Sequence, residues 1–224
     1  LDELVAAGEV LDVAGGKGQP AYVSTRGFAL AKERIIDALE AWHEAHPFRD
    51  GCARLELRKR LGLADGYLGL ALDAALADGS IRAQAPGFAL TNHRVELPPA
   101  ADEFLSALLA QFEERAFNTP TWAQARDALA PAELAPEALE DLFKTLVDRG
   151  ELVLVGDDLV FHRARYEQAV QLVRDTIEAR GSLSAGDFKD LIESSRRYAI
   201  PLMEHFDKVG LTKRDGDVRV LAKG

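Results

Sequence analysis

Four glycines set the frame of this 224-residue chain: Gly8, Gly79, Gly150 and Gly210, separated by 71, 71 and 60 residues. Seven residues before them stand Leu1, Leu72, Phe143 and Met203, and four before them Leu4, Ala75, Leu146 and Phe206. Two residues after them come Val10, Ile81, Leu152 and Thr212. Apolar positions three apart that lead to a glycine read as the last turn of a helix, because glycine reaches the left-handed backbone that ends a helix without a steric penalty. A strand follows. One such junction would say little, but four in one register read as tandem copies of a small domain.

Residues 1–24 supply only the back of a copy: a helix end closed by Gly8, a strand over 9–13, a glycine-rich turn and a strand over 21–24. Residues 30–45 then carry Ile35, Ile36, Leu39 and Trp42 at helical spacing; 54–61 and 67–77 predict two more helices, and 80–84 with 88–90 a hairpin around Pro86-Gly87. After a linker at 95–100 with Pro98-Pro99, the order returns: a helix over 101–115, one opened by a Thr121/Gln124 capping box, a third with Pro136 at its first position, and strands 151–155 and 159–162. A long helix over about 165–180 starts the last copy, followed by a Ser184/Asp187 capping box, a third helix over about 195–209 and a hairpin turned by Asp215-Gly216. Three helices and a hairpin is the order of a winged helix. The predicted fold class is mainly α (α+β), an elongated string of tandem winged-helix domains at 1–28, 29–96, 97–162 and 163–224, the first incomplete. The chain opens as if within a helix and without Met, which suggests a piece of a longer protein.

An apolar content of 47% with 7% aromatics suits small cores of Leu, Ala and Val. No run approaches the roughly 18 apolar residues of a membrane span, and no leader pattern opens the chain, so a cytoplasmic monomer is expected. Cys52 is the only cysteine, which excludes an intramolecular disulfide. Gly15-Gly16-Lys17-Gly18 departs from a phosphate loop, since Leu11 and Gly18 occupy the places of its first Gly and its Ser/Thr, and a wing turn is expected instead. His43 and His46, near Glu40 and Glu44, could face one metal, but nothing completes the shell and a solvated helix end is the simpler reading. No nucleophile motif is present, and Glu113-Glu114 and Asp157-Asp158 fall in polar runs or turns. Neither enzymatic activity nor a cofactor or metal site is expected in this chain.

The net charge of −10 argues against a nucleic-acid partner only when averaged. Residues 1–162 hold 15 cations against 27 acids, residues 163–224 hold 12 against 10, and residues 194–224 hold 7 against 4. The excess gathers at two places. Ser194 or Ser195 is positioned to cap the third helix of the last copy, which puts Arg196 and Arg197 in its first turn, at the positive end of the helix dipole where cations are disfavoured. Pro201 sets that turn apart from the apolar remainder, Leu202, Met203, Phe206 and Val209. Lys213, Arg214 and Arg219 flank the hairpin turn, and Tyr198 offers a ring for an unpaired base. This pattern points to nucleic acid, with a DNA-binding regulator and a protein-docking scaffold as the alternatives.

Residues 194–221, SSRRYAIPLMEHFDKVGLTKRDGDVRVL, strongly resemble the last winged-helix domain of the bacterial selenocysteine-specific elongation factor family. The specific part is Ser-Arg-Arg-Tyr-Ala-Ile-Pro followed by Gly-Leu-Thr-Lys-Arg-Asp-Gly-Asp-Val-Arg-Val-Leu; earlier copies match in architecture more than in motif. The resemblance implies a factor that delivers selenocysteinyl-tRNA to the ribosome at a recoded UGA codon. An N-terminal GTPase part, absent here, would handle GTP, Mg and the tRNA, while the last winged helix holds an mRNA hairpin, the selenocysteine insertion element. Carried onto this chain, the RNA contacts are Arg196, Arg197, Tyr198, Lys213, Arg214 and Arg219, with Lys189 and Ser195 as further candidates, and copies 1 to 3 act as a spacer.

Overall fold

A computed structural model describes residue 3 and residues 7–14, 20–156 and 158–222. The chain divides into two compact units, residues 1–96 and residues 97–224. Nine helices and nine short strands, paired in small antiparallel sheets, are found among the described residues.

In the first unit, β1 (Val10–Ala14) pairs with β2 (Pro20–Ser24), so that Val10 faces Ser24. Helix α1 (Thr25–Ala45) follows at once. It begins five residues before the apolar periodicity does, because the Ser24 hydroxyl accepts the Gly27 amide at 3.1 Å and so caps a first turn in which Phe28 alone is a large apolar residue. Helices α2 (Arg54–Leu61) and α3 (Asp65–Ala77) pack with α1 around Ile35, Leu39, Leu57, Leu68 and Leu72. The hairpin β3 (Ile81–Gln84) and β4 (Gly87–Leu90) completes the copy.

The second unit holds α4 (Pro99–Glu114), α5 (Trp122–Leu129), α6 (Pro136–Asp148), β5 (Leu152–Val155) and β6 (Leu159–His162). Both halves of the Thr121/Gln124 capping box form, at 3.3 and 3.0 Å, and Pro136 opens α6. The chain runs on through α7 (Arg163–Arg180), β7 (Leu183–Ser184), α8 (Ala185–Leu191), α9 (Arg196–Lys208), β8 (Thr212–Asp215) and β9 (Val218–Leu221). Ser184 accepts the Asp187 amide at 3.1 Å but gives its hydroxyl proton to the Asp187 carboxylate, a variant of the expected box. No linker separates the two copies here, since His162 ends β6 and is also the N-cap of α7. Their apolar residues form one core in which Val155, Leu159 and Phe161 of the third wing meet Val173, Ile177, Phe188 and Phe206.

The glycine register has a backbone basis. Gly8, Gly79, Gly150 and Gly210 all adopt φ between 71° and 76°. After Gly150 and Gly210 the next amide reaches back five residues, from Glu151 to the Leu146 carbonyl and from Leu211 to that of Phe206, each at 2.9 Å, which is the Schellman closure of a helix. Leu72, Phe143, Met203, Ala75, Leu146 and Phe206 are buried, as are Ile81, Leu152 and Thr212; Leu1 and Leu4 lie outside the described residues. A second repeated feature had no sequence signature. The residue that follows each wing donates its amide to the carbonyl of the residue after the glycine: Thr25 to Glu9, Thr91 to Ser80, Arg163 to Glu151 and Ala222 to Leu211. In the first two copies a threonine hydroxyl also holds the glycine carbonyl, Thr25 to Gly8 and Thr91 to Gly79. A third strand likewise recurs, as the single bridges Cys52 to Phe88 and Thr121 to Leu159, and as β7 on β9 in the last copy.

Candidate nucleic-acid interface

The candidate surface is the start of α9 and the β8–β9 wing. Helix α9 is anchored by its apolar face, with Ala199, Leu202, Met203 and Phe206 buried, and each large side chain there contributes about 1.5–3 kcal/mol. Pro201 lies inside the helix and has no amide to offer the Arg197 carbonyl. Arg196 and Arg197 are exposed in the first turn, and no acid accompanies them. The corresponding third helices α3 and α6 carry Asp65 and Glu137 there, the sign that the dipole favours. The last copy inverts that sign.

Ser195 takes the N-cap position by backbone, with φ −107° and ψ 165°, but its side chain makes no cap bond. Ser194 does not cap either. Its hydroxyl lies 3.0 Å from the Phe117 carbonyl and 3.0 Å from Asn118 Oδ1, in the loop after α4. The expected serine cap is therefore absent, and among the described residues the leading amides of α9 have no side-chain acceptor. Tyr198 is half-buried against the core, and the Arg197 guanidinium sits 5.5 Å from its ring centroid, so part of the ring is already covered.

In the wing, Gly216 adopts φ 59° at the first of two loop residues, as a type II′ hairpin turn requires. Lys213 and Arg214 are exposed, and Arg214 Nε donates to the Gly216 carbonyl at 3.0 Å. Among the described residues, none of Arg196, Arg197, Lys213 and Arg214 forms an ion pair.

Arg219 differs from the other wing cations in its surroundings. It is 7% exposed and its Nε donates to Asp207 Oδ2 at 3.2 Å, while Asp207 Oδ1 accepts the Thr212 hydroxyl at 2.6 Å. This buried network ties the wing to α9 and leaves the guanidinium little access to a phosphate. The sequence held one clue: Thr212 stands where the other copies have Val10, Ile81 and Leu152, and a polar residue at a core position calls for a buried partner. Lys189 is paired with Asp190, which lowers its availability for a phosphate.

The other candidate groups carry no such surface. His43 is not a solvated helix end: it is 7% exposed, stacks on His93 with ring centroids 3.5 Å apart, and accepts the Leu90 amide at 3.3 Å. Burial, then the charges of His93 and Arg82, lowers its pKa to about 4. No cluster of metal-ligating side chains occurs among the described residues. The Gly15-Gly16-Lys17-Gly18 turn and Asp157 lie outside them.

Three-helix bundles, each closed by a glycine-capped third helix and a hairpin, define a tandem winged-helix protein. Residues 175–221 and residues 36–90 each match a family model described as elongation factor SelB, winged helix. The selenocysteine-specific elongation factor of Desulfomicrobium baculatum is 24% identical over 190 residues, which cover 84% of this chain and 30% of the relative. A crystal structure of bacterial selenocysteine-specific elongation factor EF-Sec aligns over 96% of this chain and 32% of its own at TM-score 0.50 and 15% identity, a likeness of fold. The mRNA-binding domain of Escherichia coli elongation factor SelB, in complex with SECIS RNA, aligns over 54% of this chain and 98% of its own at TM-score 0.43 and 23% identity. Two stretches of the chain, residues 36–90 and 175–221, are thus similar to winged-helix domains of elongation factor SelB. The chain spans 30% to 35% of the length of the curated selenocysteine-specific elongation factors that it matches.

Proposed function

We propose that this chain is the mRNA-binding part of a selenocysteine-specific elongation factor, and that its last winged helix holds a selenocysteine insertion hairpin. The observation that carries this reading is the inverted first turn of α9: two exposed arginines at a positive helix end, beside two exposed wing cations, none with an acidic partner among the described residues. Each arginine costs stability there unless an anion joins it. A-form RNA keeps its major-groove base edges in a deep, narrow groove, so a hairpin is read through its backbone and its unpaired bases. Arg196, Arg197, Lys213 and Arg214 hold phosphates in this reading, and the uncapped amides after Ser195 and the open part of Tyr198 meet a loop base. GTP, Mg, selenocysteinyl-tRNA and ribosome contacts belong to the remainder of the factor, to which residues 1–28, 29–96 and 97–162 form the spacer. The sequence similarity to elongation factors disfavours a DNA-binding regulator and a docking scaffold.

The test is titration of a labelled insertion hairpin into the chain at several salt concentrations. Four neutralised phosphates give a log–log slope of about −3 to −4. A flat salt dependence, or equal competition by duplex DNA, refutes the reading. Point variants are the suitable perturbation, because deleting residues 163–224 would strip Val155, Leu159 and Phe161 of their core partners.

A further inference from the structure

The start of α9 is held from outside its own copy. Asn118 Nδ2 donates to the Glu193 carbonyl at 3.4 Å, and Ser194 Oγ shares its proton between Phe117 O and Asn118 Oδ1. Phe117 is 5% exposed and belongs to the core around Phe188, Ile192 and Phe206. Nearby, Arg165 Nε donates to the Glu113 carbonyl at 3.2 Å. Both sides of this contact contain a non-glycine residue in left-handed backbone, Ala116 and Glu193, each at φ 49°. Such backbone persists where its surroundings hold it. On the α9 side the holding bonds are Glu193 to the Asp190 carbonyl, Ser194 to that of Lys189, and the Asn118 amide.

We propose that this loop, residues 115–119, is a positioning element for RNA recognition: through Asn118 and Ser194 it fixes the direction in which the chain enters α9 and so places Arg196 and Arg197. The inference rests on the functional reading given above and extends it to the third winged helix, which becomes a working part of the binding site. Two consequences follow from the geometry. Ser194 cannot swing round to cap α9 while its hydroxyl is engaged, so the leading amides stay open to a ligand. Release of the latch lets Glu193, three residues before Arg196, leave left-handed backbone, which spreads the arginines over several directions and lowers the fraction of the chain competent to bind.

The experiment uses the full chain, an insertion hairpin as probe, and Ser194→Ala, Asn118→Ala, the double variant and Ser194→Thr, at temperatures where each is folded. Expected are about two- to tenfold weaker binding for each alanine variant, an unchanged salt slope, a double variant little worse than the poorer single one, and recovery in Ser194→Thr, which keeps the hydroxyl. Hydrogen exchange on the free protein is the RNA-independent arm: amides 195–199 exchange faster in Ser194→Ala than in the unaltered chain. Wild-type affinity with unchanged exchange at 195–199 overturns the positioning role. So does a reduced salt slope in Ser194→Ala, which would make Ser194 a direct contact. Absence of salt-dependent hairpin binding by the unaltered chain overturns the functional reading itself, and the role in RNA recognition with it.

Discussion

Arg219 separates a structural cation from a ligand-binding one, and its replacement by methionine distinguishes the two by magnitude. Breaking a fully buried ion pair costs about 3–5 kcal/mol, chiefly because one charge is left without a partner. The side chains here are 8% exposed for Arg219 and 25% for Asp207, so the two deletions are unequal. Arg219→Met leaves an aspartate that reaches water and keeps the Thr212 hydroxyl, and the expected loss is about 1–3 kcal/mol. Asp207→Ala leaves a buried guanidinium and frees Thr212 at once, and is expected to cost more, about 3 kcal/mol. The double variant should lose less than the two losses combined, with a coupling of about 1–3 kcal/mol. Urea unfolding, followed through the transition of residues 97–224, measures all three. Hairpin titrations of the folded variants then supply the decisive contrast: Arg219→Met keeps the wild-type salt slope. If it instead lowers the slope by about 0.7–0.9, as loss of one phosphate contact does, while stability is unchanged, Arg219 faces the RNA and the assignment to Asp207 is wrong.

Arg196→Ala and Arg197→Ala should each reduce the salt slope by about 0.7–0.9 and raise stability by about 0.3–1 kcal/mol; a loss of stability in urea would contradict the dipole argument. Gly79→Ala and Gly210→Ala meet no atom within 4 Å of the new Cβ, so the cost is that of left-handed backbone alone, about 1–2 kcal/mol in denaturant unfolding. His43 protonates at about 4 in the folded first unit and at an ordinary 6.5 when unfolded, so the unfolded state binds the extra proton between those values. Stability of residues 1–96 is therefore full above about pH 6.5 and declines as pH falls toward 4, by roughly 3 kcal/mol at most; His43→Gln, which can still accept the Leu90 amide, should flatten that profile in thermal melts.

The repeat was legible because it is written in local chemistry. A left-handed glycine, an apolar pair three residues apart and a strand start all lie within ten residues, and the buried Leu72, Phe143 and Met203 show that the period marks the core. The capping box of Thr121 and the helix start at Pro136 were legible for the same reason. What stayed hidden depends on partners distant in sequence. Ser194 looks like a cap until Phe117 and Asn118 arrive from 76 or 77 residues away, and His43 looks solvated until Leu90 and His93 cover it. Arg219 read as a wing cation because charge is visible in a sequence and burial beside an aspartate is not.

On the proposed reading, these differences let one scaffold serve as both spacer and ligand-binding tip. The core positions and the glycine closure fix the path of each copy, so those positions stay buried and apolar and the glycine stays left-handed in α3, α6 and α9. The first turn of the third helix lies outside that constraint: Asp65, Glu137 and Arg196 occupy it without altering the buried face behind. An acid there stabilises the copy by about 0.3–1 kcal/mol, and a cation opposes it by a similar amount. A copy that forms part of a spacer gains from the first choice. A copy that holds RNA can accept the second, provided that something other than a cap keeps its helix start in place, and the Phe117–Asn118 contact to Ser194 is that replacement in this chain.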